Sequence, residues 1–214
     1  MLEKTAILFN GPPGSGKDTA AIHAYNRLEK SYSKGALIPW RPKRMSFATP
    51  LKSAAHALYG VPFSAEYYEK EFGWDWKNKP QPEFFGEIPR EVYIALSEEF
   101  AKKRAGGVEH FGRVAARSIQ LERDANIFIF SDSGFSEEAV PVISKLGVDR
   151  VFVAEFERSG YSFAGDSRSY IGADLLSRFP KLTVTRIPNH QGKDLLRTLV
   201  HATLEVWLKL EPRG

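Results

Sequence analysis

The chain has 214 residues, of which 43% are hydrophobic and 26% are charged, and it contains no cysteine. This is the composition of a globular domain with a full core, and it excludes disulfides and thiolate chemistry. The net charge of +4 suits phosphate-bearing ligands but is too small to indicate a nucleic-acid-binding protein. The sequence has no apolar run as long as a membrane span and no signal-peptide core at its N-terminus, so we expect a cytoplasmic protein that does not bind membranes.

The first predicted element is a buried strand over residues 5–10, which leads into the sequence GPPGSGKDT at residues 11–19. A helix follows. Strand, glycine-rich loop and helix in this order are typical of a phosphate-binding loop, in which backbone N–H groups and a helix N-terminus face an anion. Lys17 adds a mobile positive charge for the outer phosphates. The residues expected to bind the donor are Gly11, Gly14, Ser15, Gly16, Lys17, Asp18 and Thr19.

Asp18 stands where such loops usually carry a hydroxyl residue, and Thr19 follows one position later. Asp18 could hold a magnesium ion or its waters, or Thr19 could take the hydroxyl role. An acidic residue in the first turn of a helix is also favourable without any ligand. These alternatives stay open from the sequence.

The next part of the chain, residues 50–122, is predicted to be largely helical and lies between two strands. A strand is predicted at 44–47, and helices at 50–59, 89–105 and 108–122, with Val92, Leu96 and Phe100 on one face of the middle helix. Little regular structure is expected over residues 61–88, where Tyr67, Tyr68, Trp74 and Trp76 are predicted to fill a small core rather than to bind a base.

Strands and helices alternate through the rest of the chain. Strands are predicted at 127–130, 150–155 and 182–186, and helices at 136–146 and at the end of the chain, where Leu196, Val200, Leu204 and Leu208 share a face. This alternation predicts one α/β domain over residues 1–214, with a parallel five-stranded sheet covered by helices on both faces. The block 50–122 would rise over the carboxyl edge of the sheet, where ligands bind in such folds.

The loop sequence SGKDT resembles that of phage-type deoxynucleoside monophosphate kinases, within the P-loop nucleoside monophosphate kinase superfamily, and that of animal-type phosphomevalonate kinases. Residues 47–60 (FATPLKSAAHALYG) and 88–107 (IPREVYIALSEEFAKKRAGG) are similar to the phage enzymes. Residues 128–139 (FIFSDSGFSEEA) resemble their strand ending in Asp-Val-Arg-Phe with a following acid, although Gly134 stands where that family usually has Arg. Residues 158–171 lie where these kinases carry a mobile lid.

The resemblance implies a P-loop kinase fold with an inserted acceptor-binding lobe at 50–122 and a short lid at 158–171. It implies transfer of the γ-phosphoryl group of ATP, with Mg²⁺, to a (deoxy)nucleoside monophosphate, in the host cytoplasm if the chain is of phage origin. Small-molecule nucleotides are the expected partners, without stable nucleic-acid binding, and a homodimer stays open. The alternatives are a kinase for another small phosphorylated acceptor such as phosphomevalonate, or a nucleotide-binding accessory protein without transfer activity.

Phosphoryl transfer requires positive charge around both ends of the moving group. Arg158 and Arg168 flank a glycine-containing segment and are expected, with Lys17, to be catalytic residues. An ordinary charged surface loop is the alternative interpretation of this segment.

Three residues are candidates for binding the acceptor. Arg90, in the first turn of its helix, could bind a monophosphate through two parallel hydrogen bonds, or could simply be solvated. Asp132, at the carboxyl end of a strand, could order magnesium waters, bind the acceptor, or cap the following helix, a role that Ser136 fits better. Lys52 could meet the acceptor phosphate or lie exposed.

Overall fold

The computed structural model describes residues 3–33, 40–190 and 192–210 and confirms the α/β fold. The strands in this part of the chain are β1 (Thr5–Asn10), β2 (Pro42–Met45), β3 (Ile127–Ser133), β4 (Val151–Glu157) and β5 (Thr183–Pro188). They form one sheet in the order β2-β3-β1-β4-β5, and every pairing is parallel.

The helices run between the strands. They are α1 (Lys17–Ser33), α2 (Thr49–Tyr59), α3 (Ala65–Phe72), α4 (Pro89–Ala95), α5 (His110–Leu121), α6 (Ser136–Leu146), α7 (Gly172–Arg178) and α8 (Lys193–Leu208). Helix α4 continues as a π-helical segment, Leu96–Ala105. Among these described helices, none combines the length and the apolar character needed to cross a bilayer.

The central strands of the sheet are buried on both faces, and their successive side chains point to opposite sides. Ile7 and Phe9 of β1 face α1 and α8, whose buried residues include the predicted series Leu196, Val200, Leu204 and Leu208. Ala6 and Leu8 face the opposite layer, formed mainly by α5, α6 and α7. Central strands of this kind carry near-continuous apolar runs, such as residues 6–9 of β1 and 127–130 of β3, which is why both were recognisable in the sequence.

The helices between β2 and β3 enclose an apolar cluster of their own, consisting of Ala55, Val61, Tyr68, Trp76, Phe84, Val92 and Tyr93. Tyr68 and Trp76 are therefore core residues, as predicted, and their rings stack with centroids 4.7 Å apart. Tyr67 is exposed instead, and the side chain of Trp74, also predicted for this core, lies outside the part of the chain that the structure describes. We call the part of the chain from α2 to α5 the lobe.

Two further expectations about the lobe were wrong. Residues 61–88 contain α3, whose first turn is capped by the Ser64 hydroxyl accepting the Tyr67 N–H at 3.2 Å, and two 3₁₀ turns, Trp74–Asn78 and Pro82–Phe84. Phe100 is 60% exposed rather than buried with Val92. The wider turn of the π-helix shifts the buried position by one residue, so Ala101 is buried instead, and it packs into the core beneath the sheet rather than into the cluster that contains Val92.

The strand boundaries differ slightly from those predicted. Strand β2 begins two residues earlier, with Pro42 as its first residue, a position that suits proline because β2 lies at the edge of the sheet. Strand β3 extends three residues further than predicted and includes Asp132. Its carboxyl end consequently reaches the same edge of the sheet as the glycine-rich loop.

Candidate functional site

The glycine-rich loop joins the carboxyl end of β1 to the first turn of α1. Gly14 and Gly16 have φ angles of +76° and +96°, which residues with a side chain rarely adopt. A side chain at Gly16 would also collide with the amide of Asn189, which donates to the Ser15 carbonyl at 2.7 Å. The buried Ser15 hydroxyl has no hydrogen-bond partner within the described chain. The backbone of the loop is thus fixed by a hydrogen bond from Asn189, the residue that follows β5.

Lys17 lies at the start of α1 and is only 6% exposed. Its ammonium group has two long contacts, 3.4 Å to the Pro12 carbonyl and 3.7 Å to the Asp18 carboxylate. Burial lowers the pKa of Lys17, and the nearby Asp18 carboxylate opposes this effect only in part. A buried ammonium with such weak partners is costly unless an anion joins it.

Asp18 and Thr19 follow in the first turn of α1. The Asp18 side chain is 70% exposed and Thr19 is half-buried, so oxygen atoms of both residues are accessible to a ligand. Within the described ranges there is no group of three or more His, Cys, Asp or Glu side chains placed to hold a metal ion. These residues fit Mg²⁺, which typically takes one or two protein oxygens and completes its shell with phosphate and water.

Residues 158–171 join β4 to α7 and cover the loop. Arg158 donates to the Gly14 carbonyl at 2.8 Å, and its guanidinium lies 4.5 Å from the centre of the Tyr161 ring. That ring occupies the space that a side chain at Gly14 would fill. The expected catalytic Arg158 is therefore at the phosphate loop, together with Tyr161, which the sequence analysis had not singled out.

Arg168, at the other end of this segment, is held by Asp166. Its Nε and Nη2 atoms donate to the two oxygens of Asp166 at 2.9 and 2.5 Å. These hydrogen bonds raise the pKa of Arg168 and lower the pKa of Asp166 to about 2. The positive charge of Arg168 also contributes to the lowered pKa of Lys17, so the two groups are within electrostatic reach of each other. The structure thus brings the three predicted catalytic cations to one end of the sheet.

Asp132 has a role that the sequence did not suggest. Its carboxylate accepts hydrogen bonds from the Ser46 hydroxyl at 2.5 Å and from the backbone N–H groups of Phe47 and Ala48 at 3.1 and 3.0 Å. It therefore fixes the turn between β2 and α2. Neither Asp132 nor Ser136 caps α6 as expected, because Ser136 is already the first residue of the helix and the capping position is Phe135, which has no side-chain cap.

Of the other acceptor candidates, Arg90 is exposed at the start of α4 and forms no hydrogen bond within the described residues. Its charge contributes to the lowered pKa of Asp166, which indicates that the lobe faces residues 158–171, the segment expected to act as a lid and called the lid segment below. Lys52 is instead engaged inside the lobe, in an ion pair of 3.2 Å with Glu69, whose same oxygen also binds Lys77 at 3.1 Å.

Asn10 connects three parts of the site and was missed in the sequence. Its buried side-chain amide donates to the carbonyls of Ser133 and Ser169 at 2.7 and 2.9 Å, and its oxygen accepts the Ile171 N–H at 3.3 Å. The signal in the sequence was an asparagine at the end of a strand predicted to be buried. A buried polar side chain needs hydrogen-bond partners, and Asn10 is indeed fully buried.

A parallel sheet, a glycine-rich loop between its first strand and first helix, and a buried lysine at the helix start define a phosphate-loop α/β fold. No protein-family model matches the chain, and no curated protein sequence matches it either. A shikimate kinase from Acinetobacter baumannii, solved with shikimate, is 13% identical with a TM-score of 0.39, over 98% of this chain and 96% of that one. A protein from Borrelia burgdorferi described as a plasmid partition protein, bound to AMPPNP, is 14% identical with a TM-score of 0.42, over 99% and 84%. Both likenesses are too weak to indicate a function.

Proposed function

We propose that the protein is a kinase that transfers the γ-phosphoryl group of ATP to a (deoxy)nucleoside monophosphate, giving ADP and the nucleoside diphosphate. The observation that carries the proposal is the position of Lys17. Its ammonium is buried beside the loop with only long contacts, and two lid arginines lie close to the same loop. This is an arrangement for binding a chain of phosphates and for stabilising the charge on one that moves.

Different residues of the chain bind the donor and the acceptor. Backbone N–H groups of the loop and Lys17 bind the phosphates of the donor, and Arg158 braces the loop through the Gly14 carbonyl. Arg168 would contact the transferring phosphoryl group after exchanging its hydrogen bonds to Asp166 for hydrogen bonds to phosphate. Asp18 or Thr19 would hold Mg²⁺, which neutralises phosphate charge when bound.

The acceptor would lie between the sheet edge and the lobe. Arg90 is exposed there without a hydrogen bond to the described chain, which leaves its guanidinium available for a monophosphate. Asp132 supports this side indirectly, because it fixes the turn from which the lobe starts. Lys52 is the weakest of the proposed acceptor contacts, since it would have to leave Glu69 first.

A panel of acceptors with ATP and magnesium, followed by release of ADP, tests the proposal. Deoxynucleoside monophosphates should be phosphorylated, and phosphomevalonate and shikimate should not. Transfer to phosphomevalonate alone would keep a kinase and overturn the substrate. ATP binding without transfer to any acceptor in the panel would favour the accessory nucleotide-binding protein instead.

A further inference from the structure

Glu138 lies in the first turn of α6 and is only 7% exposed. Its carboxyl group has no hydrogen bond or ion pair within the described residues. The backbone around it cannot move aside easily, because Gly112 of α5 packs directly against the Glu138 main chain. A buried carboxyl group without a partner costs free energy, and this one does not hold any two elements of the fold together.

The charged groups around Glu138 come from three parts of the molecule. Asp132 lies at the end of β3, Lys102 on the π-helical segment of the lobe, and Arg168 on the lid segment. All three affect its ionisation, as does Glu137 beside it on α6. Burial first, and then the charge of Asp132, raise the pKa of Glu138 to about 8. Glu138 is therefore at the junction of the sheet edge, the lobe and the lid, where the acceptor is proposed to bind.

The wall beside Glu138 is built from apolar and cationic groups. Lys102 donates to Glu98 at 2.6 Å and its ammonium lies 4.8 Å from the centre of the Phe135 ring. Phe135, the residue just before α6, is half-buried. This wall suits an uncharged planar group better than a phosphate, because Lys102 is already paired with Glu98 and the nearby Asp132 carboxylate would repel a second anion.

We propose that Glu138 is a specificity-determining residue that binds a hydrogen-bond donor on the nucleoside part of the acceptor. The inference rests on the proposed function and names the part of the acceptor that this residue contacts. The arginines and Lys17 account for the phosphates, which leaves the base N–H groups or a sugar hydroxyl for Glu138. Carboxyl groups accept hydrogen bonds from amino and amide N–H groups of bases, and a site built for such a bond rejects acceptors that lack it.

The test compares Glu138→Gln with wild type on the four deoxynucleoside monophosphates and their ribose counterparts, with Glu137→Gln as the matched control on the same helix turn. In Glu138→Gln we expect the preference between the best and the worst acceptor to change by about tenfold or more, with an unchanged KM for ATP. Glu137→Gln should keep the wild-type order. A changed order among bases assigns the donor to the base, and a change only between ribose and deoxyribose assigns it to the sugar.

Other outcomes would overturn the inference. An equal loss on every acceptor, or no change at all, would show that Glu138 does not select the acceptor. A variant that unfolds would contradict the premise that the carboxyl group is without a structural partner. If the wild-type protein phosphorylates no nucleotide, both the proposed function and this inference fail. If the wild type is active and Glu138→Gln keeps the same order of preference among acceptors, the inference alone is refuted.

Discussion

The methylene groups of Arg168 lie directly against the α-carbon of Gly134. A β-carbon at that position would be 2.5 Å from both Cγ and Cδ of Arg168, well inside van der Waals contact. The Ser169 N–H also donates to the Gly134 carbonyl at 3.1 Å, so the lid segment is seated on the residue that follows β3. The absence of a side chain at Gly134 is thus what lets the lid arginine approach the site.

This contact predicts that Gly134→Ala acts through Arg168. The added methyl group should displace the arginine and lower kcat by about tenfold, while the KM for ATP changes little. Arg168→Ala should lower the rate by about 10²-fold, the cost of losing one transition-state donor. The double variant should be no slower than Arg168→Ala alone. Fully additive losses would mean that Gly134 affects the enzyme by a route other than this arginine.

Lys17→Met should abolish transfer without harming the fold. The substitution removes an ammonium group whose pKa is lowered by burial, so Tm should be no lower than that of wild type. Lys30→Met, in the last turn of the same helix and exposed, is the matched control and should keep full activity. A Lys17→Met enzyme within a few fold of wild type in a coupled ADP assay would refute the phosphate-loop assignment.

Asp18→Asn separates a metal role from a helix-terminus role. If the carboxylate holds magnesium or its waters, the concentration of magnesium for half-maximal rate should rise strongly. If it only favours the helix, the magnesium curve should stay in place and stability should fall by up to about 1 kcal/mol. Thr19→Val, measured in parallel, shows whether the hydroxyl takes the metal role instead.

Arg90→Ala should affect the acceptor alone. Its guanidinium is far from the loop in sequence and lies on the lobe, so the KM for a deoxynucleoside monophosphate should rise by about tenfold or more while the affinity for ATP stays near that of wild type. Lys52→Met should be measured in parallel. Because it breaks the Lys52–Glu69 ion pair, it should lower Tm, and it should raise the acceptor KM less than Arg90→Ala does. Equal effects of Arg90→Ala on both substrates would place this arginine outside the acceptor site.

Glu138 also makes stability depend on pH. Its pKa is raised to about 8 in the folded protein, above the value of 4.5 for a free glutamate, so the folded state binds the extra proton more tightly. Its contribution to stability is fully present below pH 4.5 and is lost progressively as pH rises through about 8. The Tm of Glu138→Gln relative to wild type should therefore increase from pH 5 to pH 8 and level off above it. A constant difference across this range would contradict the raised pKa.

The sequence predicted best what depends on neighbours in the chain. Strand β1, the loop and the start of α1 are contiguous, and the loop's chemistry follows from glycines and a lysine within nine residues. The buried strands were recognisable because parallel strands covered on both faces are apolar throughout. The predicted aromatic core of the lobe was confirmed for Tyr68 and Trp76 for a similar reason, since many large rings in a short stretch must pack on one another.

The parts that escaped prediction depend on distant partners. Asn10 binds Ser133 and Ser169, which are 123 and 159 residues away, and Asn189 reaches Ser15 across 174 residues. The burial of Glu138 depends on the packing of α5 against α6, and not on its own helix pattern. Phe100 was misplaced because a helical period of 3.6 residues was assumed where the backbone is π-helical.

The contacts of Asn10 have a consequence for how the lid segment moves. One end of the segment continues from β4, which pairs with β1, and the other end is bound by the side chain of Asn10, the last residue of β1. Both ends are therefore anchored on a single rigid strand, and only the residues between them are free to rearrange, with Gly160 and Gly165 at φ angles of +80° and +76° as flexible points. Since the ends are already together, most of the chain entropy of closing this loop was lost when the domain folded. The lid would close over bound nucleotide by a local rearrangement of its middle residues, and not by a rigid-body rotation of a separate domain.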